Sequence, residues 1–310
     1  MTAVTADVNP VVASVAITAP FVVKRKGMGL GFWLAVGWVG LLTFCALFVS
    51  LLPIRRTNDP DFLLGASVGA GDWTSTFSRA HPLGVDESGN DLLSYALHGA
   101  RISLLVGVGT VCVGFFVGGW LGMVAGYFHG RFDSVLSFVS NALLAIPPLL
   151  FLLLLVSVLS ANSGGVSVWK FILTLGFLFV PITFRVVRAA TLQQASREYV
   201  IAARTLGARN VRVLLREILP NVIKPALAYA LVAVGSVIVV EGSLSYLGAG
   251  LSGNTISWGK MIQSAAGLLK LKSGPHATFV PAAFLFLTVL SLNFIGDKAR
   301  ERLEVKQSGI

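Results

Sequence analysis

Six long apolar runs divide this chain, at residues 29–52, 102–128, 134–159, 169–184, 225–240 and 279–295. A helix needs roughly 20 mostly apolar residues to cross the hydrocarbon core of a bilayer. In lipid a helix also pairs its own backbone N–H and C=O groups, which an open strand cannot do. The runs therefore predict an all-α polytopic membrane protein with six transmembrane helices. Charge agrees: 12% of the 310 residues are charged, against about 25% in soluble domains.

The charges lie between the runs. Lys24, Arg25 and Lys26 precede the first, and Pro53 with Arg55 and Arg56 closes it. Residues 54–91 are acidic, with six Asp and Glu against three Arg. Counting Lys and Arg on alternating sides puts 16 of 24 on one side. The positive-inside rule makes that side cytoplasmic. Both termini are then cytoplasmic, and the acidic 54–91 segment lies outside. The net charge of +10 is thus a membrane-topology signal and does not argue for nucleic acid. Residues 1–23 carry no basic leader and include Asp7 and Pro10, which argues against a cleaved signal peptide.

Several local features refine the spans. Residues 92–99 form a short amphipathic helix leading into the second span. A tight turn follows that span at His129, Gly130 and Arg131. Gly118, Gly119, Gly122 and Gly126 recur at helical spacing, which suits close helix packing. Pro147 and Pro148 kink the third span and free carbonyls that must face protein or a wet cavity. Asn141 in the same span suits either a solute path or an interhelical hydrogen bond. Cys45 and Cys112 lie inside apolar runs and read as small buried hydrophobes. His81, His98, His129 and His276 are scattered, and read as surface or interfacial side chains rather than metal ligands.

The most basic stretch surrounds residues 196–220, SREYVIAARTLGARNVRVLLREILP. Ser196 can cap a helix that stops at Gly207, where glycine tolerates a left-handed cap. Asn210 can cap a second helix ending before Pro220. Small Ala202 and Ala203 beside Glu198, Arg204 and Leu206 would let another surface approach closely; an ordinary solvated basic loop is the competing reading.

This stretch resembles the conserved loop of ABC-importer permeases, with Ala202, Ala203, Gly207, Leu219 and Pro220 at matching positions, and Ile201 and Glu217 departing from it. Three further stretches resemble the dipeptide/oligopeptide permeases of the C type, in the expected order. The first is HPLGVD from His81 to Asp86, followed by Gly89, Asn90, Asp91 and GARISL from Gly99. The second is EGSLSYLGAGL from Glu241, with Ser257, Trp258 and Gly259 following. The third is NFIGDKARERL from Asn293.

The resemblance implies a type I ABC importer permease in the cell membrane. Its parts would be a cytoplasmic tail at 1–28, a first transmembrane helix with an extracytoplasmic segment at 29–101, the core at 102–296 carrying the coupling loop at 196–220, and a cytoplasmic tail at 297–310. It further implies a second homologous permease in a heterodimer, two ABC ATPase subunits or domains, and an extracytoplasmic peptide-binding protein. Glu198, Ala202, Ala203, Arg204, Leu206 and Gly207 would form the coupling helix docking on an ATPase, and Leu219 and Pro220 would close the loop. His81, Asp86, Asp91 and Arg101 would belong to the outer segment.

The chain itself holds no phosphate loop of the G-x-x-x-x-G-K-[ST] type. ATP and magnesium are accordingly expected on partner ATPases, with no cofactor, metal or catalytic residue here. Glu241 and the adjacent Ser243 suit an outer gate or a peptide ammonium; a helix-end carboxylate bonded to local N–H groups is the simpler reading. Within the same family nickel or another small solute is the alternative cargo. A membrane-embedded enzyme would need ionisable pairs inside the spans, and a secondary transporter would need internal repeats and coupling-ion carboxylates. Neither pattern is present.

Overall fold

In the computed structural model, which describes residues 28–51, 60–163, 165–271 and 274–307, the apolar runs become helices. The expected tail at 1–27 and the span-ending Pro53, Arg55 and Arg56 lie outside the described residues. Ten helices follow one another: α1 Gly29–Leu47, α2 Phe62–Gly69, α3 Leu92–Phe128, α4 Arg131–Ala145, α5 Pro148–Ser163, α6 Val168–Ala195, α7 Glu198–Thr205, α8 Asn210–Tyr246, α9 Trp258–Leu271 and α10 Pro275–Gln307. Among the described residues β-pairing is confined to an isolated bridge between Val85 and Asp91.

Five of these helices, α1, α3, α6, α8 and α10, are each long and apolar enough to cross a membrane. The pair α4 and α5, bent by 87°, is apolar enough to make a sixth crossing when taken as one broken span. The cause is local. Ile146, ahead of a proline, is extended (ψ 132°), as the clash with a proline ring requires. Pro148 then starts α5, where a missing N–H costs nothing.

Two spans are longer than expected. Residues 92–99 are no separate helix, because α3 runs on for 37 residues, with a π-helical stretch at Phe115–Gly119, about 55 Å at 1.5 Å per residue. That exceeds a hydrocarbon core of roughly 30 Å, so α3 projects beyond it. Likewise the helix from Asn210 does not stop before Pro220 but continues to Tyr246. A π-helical stretch at Val213–Ile218 widens the turn where the Pro220 ring would clash with the carbonyl of Arg216. The amide of Asn221 donates to Glu217 O at 2.8 Å, supplying a donor to the interrupted ladder.

The core of the bundle packs α3 on α6 and α8 on α10, with α3 also against α8. The glycines of α3 make the first contact intimate. A methyl added at Gly118 would overlap Thr183 Oγ1, and one at Gly122 would lie 2.5 Å from Phe184 O. Thr183 Oγ1 donates to Gly114 O across the same seam at 2.7 Å. The glycine spacing is therefore a packing device, as expected. By contrast α1 lies outside the bundle on α10, joined by Trp38 Nε1 donating to Thr288 Oγ1 at 3.2 Å. Cys112 is exposed rather than buried, because its position on α3 faces away from α6 and α8.

Candidate functional site

The two ends of the bundle carry different chemistry. At the basic end, α6 gives way to α7 through Ser196 and Arg197. The N-cap of α7 is Arg197, without a side-chain bond. Ser196 is not that cap: α6 extends to Ala195, and Ser196 Oγ donates back to Gln193 O. The far end of α7 closes as expected. Gly207 has φ +80°, Gly207 N–H donates to Arg204 O at 3.0 Å, and Ala208 N–H donates to Ala203 O at 3.0 Å. This is the paired bonding of a Schellman cap, which needs a left-handed residue at that position.

The α7 helix buries one side chain fully, Val200, in an apolar cluster with Met123, Tyr127, Val187, Val213, Leu214, Ile218 and Val222. Its other face is open. Ile201 is 54% and Leu206 89% exposed; Glu198, Ala202, Arg204 and Gly207 are exposed too, and Ala203 is half-buried. The expected coupling residues thus share one short element, whereas Leu219 and Pro220 lie on α8.

Tyrosines that the sequence reading passed over hold α7 in place. The Arg204 guanidinium lies 4.7 Å from the centre of the Tyr127 ring. Tyr127 OH donates to Asn210 Oδ1 at 3.1 Å, so Asn210 serves this bond rather than capping α8, whose N-cap is Arg209. Tyr199 OH donates to Gln194 Oε1 at 2.9 Å and accepts from Asn221 Nδ2 at 3.2 Å. Partial burial raises the Tyr199 phenol above its ordinary value, which keeps it a neutral donor. Nearby, Arg188 of α6 grips Asp133 of α4 through both Nε and Nη2, a bidentate geometry that holds the bent span to its neighbour. A signal for Tyr127 existed in the sequence: it stands two residues before the tight turn that ends α3.

At the acidic end the expected outer residues build the entry to α3. His81 Nδ1 donates to Asp91 Oδ1 at 3.1 Å, and both are buried. Asp91 Oδ2 accepts from Ser94 N–H at 2.8 Å, capping α3. Asp86 accepts from the backbone and side chain of Asn90 at 2.8 and 2.9 Å. Arg101 alone of these four is exposed. His276 is buried as well; its Nε2 donates to Val85 O at 2.8 Å and its ring stacks on Trp73. His81 and His276 are therefore interior hydrogen-bonding groups, not surface side chains. A cleft of about 410 Å³ opens beside this region, between Asp86, Glu87 and Tyr95 on one side and Lys260 and Ser264 on the other.

Glu241 also departs from expectation. It is fully buried, and neither terminal nor bonded to local N–H groups. Ser245 Oγ donates to Oε1 at 2.8 Å and Ser103 Oγ to Oε2 at 3.1 Å, with Ser257 beside the same carboxylate. Trp258, equally buried, donates from Nε1 to Ala96 O at 2.8 Å. This joins α3, α8 and α9 at one polar point. Ser243 lies apart and donates to Val239 O. Asn141 is exposed on α4. Among the described residues no three His, Cys, Asp or Glu side chains gather as metal ligands would.

Comparison with known proteins agrees with this architecture. In a solved inward-facing structure of the MetNI methionine ABC transporter, a chain of 18% identity superposes with a TM-score of 0.56, covering 68% of this chain and 97% of that one. That likeness concerns the fold. By sequence, the di/tripeptide transport system permease protein DppC of Pseudomonas aeruginosa is 32% identical over 86% of this chain and 85% of its own length. The glutathione transport system permease protein GsiD of Pectobacterium atrosepticum is 34% identical over 74% of each. A putative peptide permease protein of Brucella ovis is 33% identical over 85% and 83%. Residues 118–307 match the family model of the binding-protein-dependent transport system inner membrane component. The chain belongs to that family of inner-membrane transport components.

Proposed function

We propose that this chain is one permease of an ATP-driven importer that moves di- and oligopeptides into the cytoplasm by alternating access. In this reading the basic end faces the cytoplasm, both termini lie there, and α7 docks on a partner ATPase that binds ATP and magnesium. A second homologous permease completes the pathway, and an extracytoplasmic binding protein delivers the peptide. The named solutes of the relatives, glutathione, di- and tripeptides and peptides, share one chemistry of short amide chains.

The observation that carries the reading is α7 itself. A leucine 89% exposed beside an isoleucine 54% exposed is costly in water, at roughly 25 cal/mol per Å² of apolar surface. The same helix is closed by Gly207 and backed by Val200. A firmly seated element with a small apolar tip and a charged rim suits insertion into a partner cleft.

The test is purification from the native membrane in mild detergent, mass spectrometry of what accompanies the chain, and reconstitution with labelled peptide. An ATPase, a second permease and a peptide-loaded binding protein are expected. Gly207→Val should insert but lose about ten-fold or more in uptake, since a branched residue at positive φ costs ~1–3 kcal/mol and distorts the end of α7. A chain that transports alone, or a Gly207→Val variant with full uptake, overturns the reading.

A further inference from the structure

We propose that Tyr127 is the positioning residue that carries displacement of α7 into span α3; this rests on the reading that α7 docks an ATPase. The helices α6 and α8 adjoin α7 in the chain, so they follow it through the backbone. The α3 helix does not: Tyr127 and Asn210 are 83 residues apart in sequence. Apolar contact from Met123 is non-directional and tolerates sliding. Tyr127 instead makes two directional contacts with opposite margins of the α7 turn, the ring under Arg204 before Gly207 and the hydroxyl on Asn210 after it. A cation over a ring face and a phenol bond are each weak at an exposed site. Here the tyrosine is 5% exposed while Arg204 and Asn210 are exposed, so it is the buried ring that fixes where each contact is made.

From Tyr127 the route onward is stiff. Gly122 and Gly126 lock α3 to the backbone of α6, since a methyl at Gly126 would lie 2.8 Å from Arg188 O. The α3 helix continues through a π-helical stretch at Phe115–Gly119 toward the opposite side of the bundle, where Ser103 is held by Glu241 and its hydroxyl also accepts from Trp258 N–H. A push on α7 thus travels toward the acidic end through one helix with directional contacts at Tyr127 and at Ser103. The chain of contacts by itself is spatial, so coupling must be measured.

The experiment uses the whole complex, co-purified and reconstituted in proteoliposomes, and reads ATP hydrolysed per labelled peptide transported. Tyr127→Leu removes both contacts, Tyr127→Phe keeps the ring, and Asn210→Ala removes the acceptor of the phenol. Tyr127→Leu should raise the ATP cost per peptide about ten-fold, within the 5–150-fold range typical of allosteric coupling. Tyr127→Phe should fall between it and the unaltered protein. Asn210→Ala added to Tyr127→Leu should have no further effect, because the contact is already gone. A merely structural role would lower the amount of assembled complex while leaving the ratio constant, and that result overturns the proposal. Should Tyr127→Leu not assemble, Tyr127→Phe and Asn210→Ala decide it: an unchanged ratio in both overturns it. If the unaltered complex shows no uptake dependent on ATP and binding protein, the function itself falls. Coupled uptake with unchanged ratios in the variants rejects Tyr127 alone.

Discussion

The two ends of α3 form a contrast. At the acidic end, Ser103 sits in a closed polar point where Glu241, Ser245, Ser257 and Trp258 are all nearly water-free. At the basic end, Tyr127 touches a helix whose outward face is open, with Leu206 89% exposed. The first arrangement satisfies its polar groups internally and needs no partner. The second leaves apolar surface that its own fold does not cover. Internal completion marks an element that holds helices together, whereas incompletion at a well-seated helix marks one built to meet another surface.

Substitutions at three positions break or sharpen this contrast, from the largest expected loss of stability to the smallest. Gly122→Val, between the two ends, forces a side chain against Phe184 O and should destabilise by about 3 kcal/mol or more, read as loss of monodisperse protein on heating in detergent. Full stability would mean that α3 and α6 separate easily and are not one body. Glu241→Ala leaves the Ser103 and Ser245 hydroxyls without an acceptor and should cost roughly 2–3 kcal/mol, seen as a lower unfolding temperature. Glu241→Gln, which still accepts, should recover most of it; equal losses in both would mean that shape rather than hydrogen bonding matters there. Leu206→Asp should change stability by less than about 0.5 kcal/mol, as exposed sites do. It should nevertheless abolish ATP-dependent uptake by the reconstituted complex, and undiminished uptake would remove the open face from the docking argument.

The residues differ in how far their roles could be read in advance. Gly207 needed no structure: a small-residue helix followed by glycine predicts a left-handed cap, and φ +80° matches it. Gly118, Gly122 and Gly126 predicted a close seam, though not that its partner would be α6. The Pro147–Pro148 break was visible in kind, but its 87° depends on how α4 is held, through Arg188 and Asp133, which are 55 residues apart. Glu241 was misplaced because hydropathy puts charge at span ends, where it is cheap. Ser245 one turn further on, with Ser103 and Ser257 from other segments, made the interior affordable for it. Asn210 looked like a cap by position, yet the nearby tyrosine hydroxyl took its side chain.

Local chemistry, acting over a few residues, was enough to establish membrane helices, the uneven distribution of charge between them, and the α7–Gly207 element. Those outcomes depend on hydropathy, proline and glycine geometry and charge, all of which operate along the chain. Which helices touch, which carboxylate is buried, which histidine finds a partner and which tyrosine seats α7 depend on groups brought together from 10 to more than 190 residues away. No periodicity encodes such distances, because they are set when the spans choose neighbours by shape and by the need to satisfy every buried polar group.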